Sequence, residues 1–132
     1  MTHKRFMVEL KSIVPQQHYL STEKYHKVKK ALEEMDGYGD IYVIEYKDRI
    51  FSVDGHHRLY CLYEQGVETV DVVCELADNH HPLYLMLADE ALELGLRHIG
   101  DLGERFIDDP ERYKRLWIDK CQSLMNTLEN DE

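Results

Sequence analysis

The sequence predicts a mixed α/β (α+β) fold, in which a small mixed sheet with helices continues into a helical C-terminal extension. In the first part of the chain, segments of alternating apolar residues are interleaved with segments whose apolar residues recur every three or four positions. Beyond Pro82 only the helical spacing remains. The 132 residues suit one compact domain, and 43% hydrophobic with 32% charged residues is a globular composition. We therefore expect a single domain over residues 1–132, with an α/β core over 5–78 and a helical extension over 82–128 packed on it.

The first strand and the first helix are bounded by recognisable residues. The segment RFMVELKSIVP, residues 5–15, alternates enough to predict one strand, which Pro15 ends. Ser21 is a favourable N-cap for the helix that follows. The apolar positions of this helix lie three or four residues apart and therefore share one face: Tyr25, Val28, Leu32 and Met35.

The middle of the chain predicts a hairpin, a helix and a strand. The segment IYVIEYKDRIFSV, residues 41–53, indicates two strands joined by a turn at Lys47 and Asp48. A helix over residues 56–65 follows, with Gly66 as its C′ residue. Alternation in ETVDVVCEL indicates a further strand at residues 70–74. The core face of the helix is expected to carry Leu59, Leu62 and Tyr63.

The C-terminal extension predicts three helical segments. The first begins at Pro82 and ends at Gly95, and GDLGERFI predicts a short second one. Asp109 as cap and Pro110 at the first position open a long third helix. Its apolar stripe must be buried, either on the α/β core or in a homodimer formed through this helix. The stripe consists of Tyr113, Leu116, Trp117, Cys121, Leu124, Met125 and Leu128.

Charge and hydropathy narrow the classes of function. The formal net charge is −10, which favours solubility and disfavours binding to bulk nucleic acid. No apolar run reaches the ~18 residues needed to span a bilayer, and the first residues do not form a signal peptide. We therefore expect a cytoplasmic protein that does not associate with membranes.

Cysteines and paired histidines give little indication of a metal site. Cys61, Cys74 and Cys121 lie far apart, lack C-x-x-C spacing and have apolar neighbours, which predicts buried free thiols. His80 and His81 are adjacent, and adjacent side chains point in different directions, so they rarely chelate one zinc ion.

The junction between the predicted hairpin and the next helix carries the most distinctive chemistry. Asp54, Gly55, His56, His57 and Arg58 stand where a strand turns into a helix. The first amides of a helix lack internal partners and carry the positive end of the macrodipole, so anions bind there. Gly55 would allow close approach to the backbone, and Arg58 could bind a phosphate in a bidentate manner. Alternatively, the Asp54 carboxylate caps the helix and leaves the histidines and Arg58 in solvent.

The segment VDGHHRLYCLYEQGVETVDVVC, residues 53–74, resembles the central segment of the ParB/sulfiredoxin superfamily. An acidic residue and glycine follow a strand, a His-Arg pair opens a helix, and Gly66 precedes a short strand. The tripeptide IVP, residues 13–15, before a helix is similar to the superfamily's first segment. The resemblance covers roughly residues 7–76 and implies a ParB/sulfiredoxin-like fold that binds a nucleotide at this helix start.

Within the superfamily, the loop DGHHR is most similar to that of free serine kinases. Sulfiredoxins carry their nucleophilic cysteine where this chain has His56, and partition proteins have a separate DNA-reading domain. The kinase resemblance implies that Gly55, His56, His57 and Arg58 bind the phosphates of ATP or ADP, with CTP as a further candidate. It also implies that Asp54 binds Mg²⁺ or orients the acceptor. The resemblance also implies a glutamate base early in the chain. Gln16 and Gln17, which follow Pro15, are not bases, and Glu23 is the nearest carboxylate. Asp54, His57 and Glu23 are then the candidate catalytic residues.

Three functions remain open at the level of sequence. The first is a Mg²⁺-dependent phosphotransferase or nucleotide hydrolase that acts on a small hydroxyl compound. The second is a non-catalytic nucleotide-sensing or protein-interaction module whose helical extension contacts a partner. The third is a DNA-associated ParB-like nuclease, which the net charge of −10 disfavours.

Overall fold

The computed structural model describes residues 3–76 and 82–130, and in them the fold is a mixed α+β arrangement, as predicted. Strands pair in the order β1-β6-β4-β5-β2 to form a mixed five-stranded sheet, and β3 pairs with β7 in a small parallel sheet. The strands are β1 (His3–Glu9), β2 (Ile13–Pro15), β3 (Leu20–Ser21), β4 (Tyr42–Tyr46), β5 (Arg49–Ser52), β6 (Thr69–Leu76) and β7 (Phe106–Ile107).

Five α-helical segments surround these strands. They are α1 (Thr22–Glu33), α2 (His56–Glu64), α3 (Pro82–Glu93), α4 (Pro110–Tyr113) and α5 (Asp119–Asn130). A π-helical turn, Lys114–Ile118, joins α4 to α5, and we call the continuous unit from Pro110 to Asn130 the C-terminal helix. Two 3₁₀ turns, Leu10–Ser12 and Ile99–Glu104, complete the described elements.

The prediction of one strand over residues 5–15 was wrong. The chain leaves the sheet at the 3₁₀ turn Leu10–Ser12, where the Leu10 amide donates to the Glu68 carbonyl at 2.8 Å. β1 then pairs with β6 at one edge of the sheet, while β2 pairs with β5 at the other. An apolar alternation reports that a segment is extended, but it does not report which neighbour the segment pairs with.

The predicted hairpin and the predicted end of α2 are confirmed. Lys47 and Asp48 both have positive φ, +52° and +60°, which is the geometry of a two-residue hairpin turn that matches strand twist. β4 and β5 pair antiparallel on either side of it. α2 ends before Gly66, whose φ of +85° is the left-handed conformation expected of a C′ glycine. Leu59 of this helix is buried in the main core.

Helix α1 begins as predicted, but its apolar face does not enter the core. The Ser21 hydroxyl accepts from the Lys24 amide at 3.2 Å, so Ser21 is the N-cap. No residue of α1 is buried, and Val28 and Leu32 are only half-buried. Of the predicted face, Val28, Leu32 and Met35 line a cleft and not the protein interior. Tyr25 instead packs edge-on against Tyr60 and Phe106.

The C-terminal helix begins as the sequence predicts. The Asp109 carboxylate accepts from the Glu111 amide at 3.0 Å, and Pro110 occupies the first turn. The segment predicted as a short helix at residues 100–107 is divided between the 3₁₀ turn Ile99–Glu104 and the strand β7. Within the stripe, Tyr113 and Trp117 are buried together with Leu83, Leu87 and Ile107.

The cysteines are free thiols, as predicted, although only two of the three are buried. Cys61 and Cys74 are buried, whereas Cys121 is half-buried. Burial raises the pKa of Cys61 to about 11, so this thiol is not ionised at neutral pH. His80 and His81 lie outside the described residues. In residues 3–76 and 82–130, no helix combines the length and apolar character needed to cross a membrane.

Candidate functional site

A cleft of about 720 Å³ opens between α1, the start of α2 and the C-terminal helix. Its volume lies in the range of small-molecule sites, about 300–1,000 Å³. One end is polar and contains residues 54–58, which the sequence singled out. The two walls that extend from this end are mainly apolar. The wall from α1 and the residues just after it contains Val28, Ala31, Leu32 and Met35, and the wall from the C-terminal helix contains Trp117, Ile118, Cys121 and Met125.

The start of α2 has no side-chain cap. Gly55 is the N-cap residue, and its φ of +70° lies in the left-handed region that favours glycine. The first intrahelical bond runs from the Leu59 amide to the Gly55 carbonyl at 2.8 Å. The amides of His56, His57 and Arg58 precede that bond and have no partner among the described residues. This helix start therefore lies uncapped at the polar end of the cleft, and such a start has the chemistry that suits an anion.

Asp54 does not cap this helix. Its carboxylate meets one described side chain, the Arg58 guanidinium, at 3.5 Å between Oδ1 and Nη2. The Asp54 side chain is 60% exposed. The interpretation of the motif as an acid-capped helix with solvated basic residues is therefore not what the structure shows.

Arg58 lies across two glycines beside the uncapped helix start. Its Nη1 donates to the Tyr38 carbonyl at 2.7 Å, and its side chain is only 21% exposed. A Cβ at Gly55 would lie 2.5 Å from Nη2 of this guanidinium, and one at Gly39 would lie 2.9 Å from Nη1. Both glycines are therefore required for the guanidinium of Arg58 to lie in this position beside the first residues of α2.

His57 is a neutral hydrogen-bond donor toward the cleft. Its ring is buried, and Nε2 accepts from the Ser21 amide at 2.9 Å. Because a backbone amide can only donate, Nε2 has no proton and Nδ1 must carry it. Burial, with a smaller contribution from Lys24, lowers the pKa of His57 to about 4. His57 lines the cleft, and its Nδ1–H has no partner among the described residues.

His56 contributes mainly its backbone to the site. Its ring is buried, with Nε2 3.1 Å from the Ser52 carbonyl and 3.3 Å from the Gln17 amide. The neutral ring can satisfy only one of these partners with that nitrogen, and the Ser52 carbonyl is the nearer. Burial is the main cause that lowers the pKa of His56 to about 3. The ring is therefore uncharged, and its Nε2–H binds the Ser52 carbonyl at the end of β5.

Lys24 is a site residue that the sequence analysis missed. It lines the cleft, and its Nζ lies 5.2 Å from the ring centroid of Tyr113. Lys27 and Lys30, which lie further along α1, do not line the cleft. The signal was present, because Lys24 precedes Val28 and Leu32 by four and eight residues and so shares their face.

The structure does not bring Glu23 into the cleft. Its carboxylate lies on the exposed side of α1, 3.3 Å from Lys27 Nζ, and it is absent from the cleft lining. Among the described lining residues, Asp54 is the carboxylate. No group of three or more His, Cys, Asp or Glu side chains in residues 3–76 and 82–130 is placed to hold a metal ion. Mg²⁺ that is bound largely by nucleotide phosphates needs only one or two carboxylates.

Comparisons with known proteins give a fold likeness and no family. No family model matches the chain, and no curated protein matches it. A solved structure, protein Atu1540 from Agrobacterium tumefaciens, is similar with a TM-score of 0.53 and 21% sequence identity. The likeness covers 82% of this chain but 63% of that protein, so the chain spans less than two thirds of its length. At this identity the likeness concerns the fold alone.

Proposed function

We propose that the protein binds the phosphate groups of a nucleotide at the start of α2, with ATP or ADP as the first candidates and CTP as a further one. The observation that carries this proposal is the uncapped N-terminus of α2 at the polar end of the cleft. Its three unpartnered amides and the positive end of the helix macrodipole suit an anion. The resemblance of residues 53–74 to the ParB/sulfiredoxin superfamily supports the same location.

Three side chains supplement the backbone amides. Arg58 adds a positive charge beside the helix start, and Lys24 adds a second on the α1 side of the cleft. His57 offers Nδ1–H as a neutral donor in a fixed tautomer. The site therefore concentrates hydrogen-bond donors and positive charge for a phosphate, although the protein as a whole has a net charge of −10.

Phosphoryl transfer is the reaction that we propose for this site. It requires positioning and charge neutralisation more than covalent chemistry, together with a group that orients the acceptor hydroxyl. His57 is not suited to the role of base because Nε2 already accepts from Ser21 and Nδ1 carries the proton. Asp54 remains as the carboxylate that would orient a small hydroxyl acceptor or bind Mg²⁺ with the phosphates.

Non-catalytic nucleotide sensing is the second candidate function. The observation that favours it is that the described side chain nearest to the Asp54 carboxylate is the Arg58 guanidinium, at 3.5 Å. A carboxylate that neutralises Arg58 is less free to serve an acceptor. Binding without turnover is the outcome that would separate sensing from transfer.

The test of binding is calorimetric titration of ATP, ADP and CTP with Mg²⁺ into the wild type and the Arg58→Ala variant. We expect the variant to weaken binding by about 1.5–3 kcal/mol, the range for a hydrogen bond to a charged group. Lys30→Ala is the control, because this exposed lysine lies on α1 outside the cleft, and its affinity should stay close to that of the wild type. No binding of any of the three nucleotides would overturn the proposal.

The test of catalysis is phosphate transfer or release with ATP or ADP, screened with serine first as acceptor. We expect turnover that Asp54→Asn abolishes while nucleotide affinity changes little, since the amide keeps the size of the carboxyl group. Tight binding without turnover in the wild type would instead favour the sensing module.

A further inference from the structure

Beyond its phosphate end, the cleft offers apolar contact in place of hydrogen bonds. Val28 and Leu32 of α1, with Met35 just after it, line one wall, and Ile118 and Met125 of the C-terminal helix line the other. Gln17 is the nearest amide side chain to the polar end, but both of its N–H groups are used by the fold. One donates to the Tyr19 carbonyl at 2.8 Å and the other to the Tyr113 hydroxyl, also at 2.8 Å.

The far wall adds the amide of Gln122, which is exposed and donates to Asn126 at 3.0 Å, and the single indole N–H of Trp117, a side chain that is otherwise apolar and buried. A sugar or a nucleobase edge placed between the walls would therefore find few partners among the described residues. Polar groups removed from water without such partners reduce affinity, whereas apolar groups increase it.

The shape of the C-terminal helix keeps this wall apolar along its length. Tyr113, Trp117, Cys121 and Met125 recur at intervals of four residues and all line the cleft. With 3.6 residues per turn, a regular α-helix rotates such a series progressively around its axis. The wider π turn at Lys114–Ile118 counteracts that rotation, and such turns occur frequently at functional sites.

Two large apolar side chains of the cleft lining are partly exposed to solvent. Met35, two residues beyond the end of α1, is 47% exposed, and Ile118 on the C-terminal helix is 43% exposed. They belong to opposite walls of the same cleft, so an apolar group between the walls would remove both from water. The polar end supplies the complementary positive charge through Arg58 and Lys24. His57, which is buried and lines the same end, adds an Nδ1–H that has no partner among the described residues.

We infer that the ligand of this cleft is a phosphate ester with an apolar organic group, which the two walls hold by hydrophobic contact. The inference rests on the proposed phosphate site and names the class of molecule bound there. Affinity then depends on the apolar area of the organic group and not on the hydrogen-bonding edge of a base. Nucleotides bind without strong discrimination between bases of equal size.

The test compares inorganic phosphate, ethyl phosphate, butyl phosphate and hexyl phosphate, with ATP and GTP beside them, by calorimetric titration below micellar concentrations. Half to full burial of the four extra methylenes should raise affinity about 15- to 200-fold from ethyl to hexyl phosphate. ATP and GTP, which differ in their base edges, should bind within about threefold of each other.

The matched variants place the effect in the cleft. The double variant Met35→Gln/Ile118→Gln should reduce the gain from ethyl to hexyl phosphate at least about fivefold, without weakening inorganic phosphate. Met7→Gln/Leu94→Gln is the control, because these side chains are 60% and 48% exposed and lie outside the cleft. It should keep the wild-type dependence on chain length. All four positions are exposed, so the variants are expected to fold.

Three outcomes would overturn the inference, and they are distinguishable from failure of the phosphate site. If ATP and phosphate bind but affinity does not rise with chain length, the proposed function stands and the apolar ligand class is wrong. The apolar ligand class is also wrong if the affinities for ATP and GTP differ by more than about tenfold. It is wrong as well if the double variant Met35→Gln/Ile118→Gln keeps the wild-type gain in affinity with chain length. If no phosphate ester binds, the proposed phosphate site fails as well.

Discussion

Helices α1 and α2 both flank the cleft, but they begin in opposite ways. At α1 the chain supplies its own acceptor, since the Ser21 hydroxyl binds the Lys24 amide. At α2 the chain supplies Gly55, and the first three amides keep no described partner. The C-terminal helix follows the pattern of α1, with Asp109 as its cap.

The start of α1 is therefore closed by the fold itself, whereas the start of α2 is left open. A side-chain cap satisfies an amide permanently, whereas an uncapped start satisfies its amides with water or with a ligand. The two starts are also joined, because the Ser21 amide donates to His57 Nε2 at 2.9 Å. Ser21 thus caps α1 with its hydroxyl and, with its amide, orients the histidine of α2 toward the cleft.

Acidification should break this junction and gives the largest expected effect. The pKa of His57 is lowered from 6.5 to about 4, mainly by burial. The unfolded chain therefore binds a proton near pH 6.5 that the folded chain refuses until about pH 4. The contribution of His57 to the free energy of unfolding is fully present well above pH 6.5. It falls as the pH drops below this value and stops falling near the folded pKa of about 4. The contribution of His57 should be about 2 kcal/mol between pH 6.5 and 4.5.

Urea unfolding of the wild type and of His57→Gln at several pH values measures this contribution. The variant should be less stable at pH 7.5, where it lacks the native contact, and the gap should narrow on acidification. Parallel stability curves for the two proteins would show that His57 titrates equally in the folded and unfolded states, contrary to the lowering of its pKa by burial.

Local signals in the sequence were sufficient for the elements around the site. The turn at Lys47 and Asp48, the cap at Ser21 and the glycine after α2 depend on residues within a few positions of one another. Such features are set by backbone preferences and short-range hydrogen bonds. The motif of residues 54–58 was therefore placed correctly at the junction of strand and helix.

The surroundings of the motif could not be predicted in this way. His56 and His57 are buried because the loop before α1 crosses the start of α2, a contact between residues almost 40 positions apart. Polar residues in a linear pattern do not show such a crossing. The apolar face of α1 gave a similar error, since periodicity predicts a shared face but not whether a core or a cleft lies opposite.

A side chain at Gly55 should disturb both the helix start and Arg58. Alanine in the left-handed region costs about 1–2 kcal/mol, and its Cβ would lie 2.5 Å from the Arg58 guanidinium. Gly37→Ala is the matched control, because Gly37 has a φ of +84° and nothing within 4 Å of an added Cβ. Both variants should lose stability through backbone strain. Only Gly55→Ala should also weaken nucleotide binding, by about tenfold, because Arg58 must move.

Unfolding curves and calorimetric titration of the two glycine variants separate strain from displacement. Equal affinities in Gly55→Ala and Gly37→Ala would mean that the position of Arg58 is irrelevant to the ligand. That result would remove the arginine from the proposed phosphate site, although the backbone amides of α2 would remain candidates.

The smallest expected effect is the difference in stability between removing the Ser21 cap of α1 and removing Asp54, an acid that precedes α2 without capping it. Ser21→Ala removes the acceptor of the Lys24 amide and should lower the free energy of unfolding by about 1 kcal/mol. Asp54→Ala removes a 60% exposed carboxylate that accepts from no amide at the start of α2, so it should change stability by less than about 0.5 kcal/mol. Chemical denaturation of both variants at pH 7.5 gives the comparison. Equal losses would mean that Asp54 caps α2 in solution, and the helix start would then be closed to a phosphate.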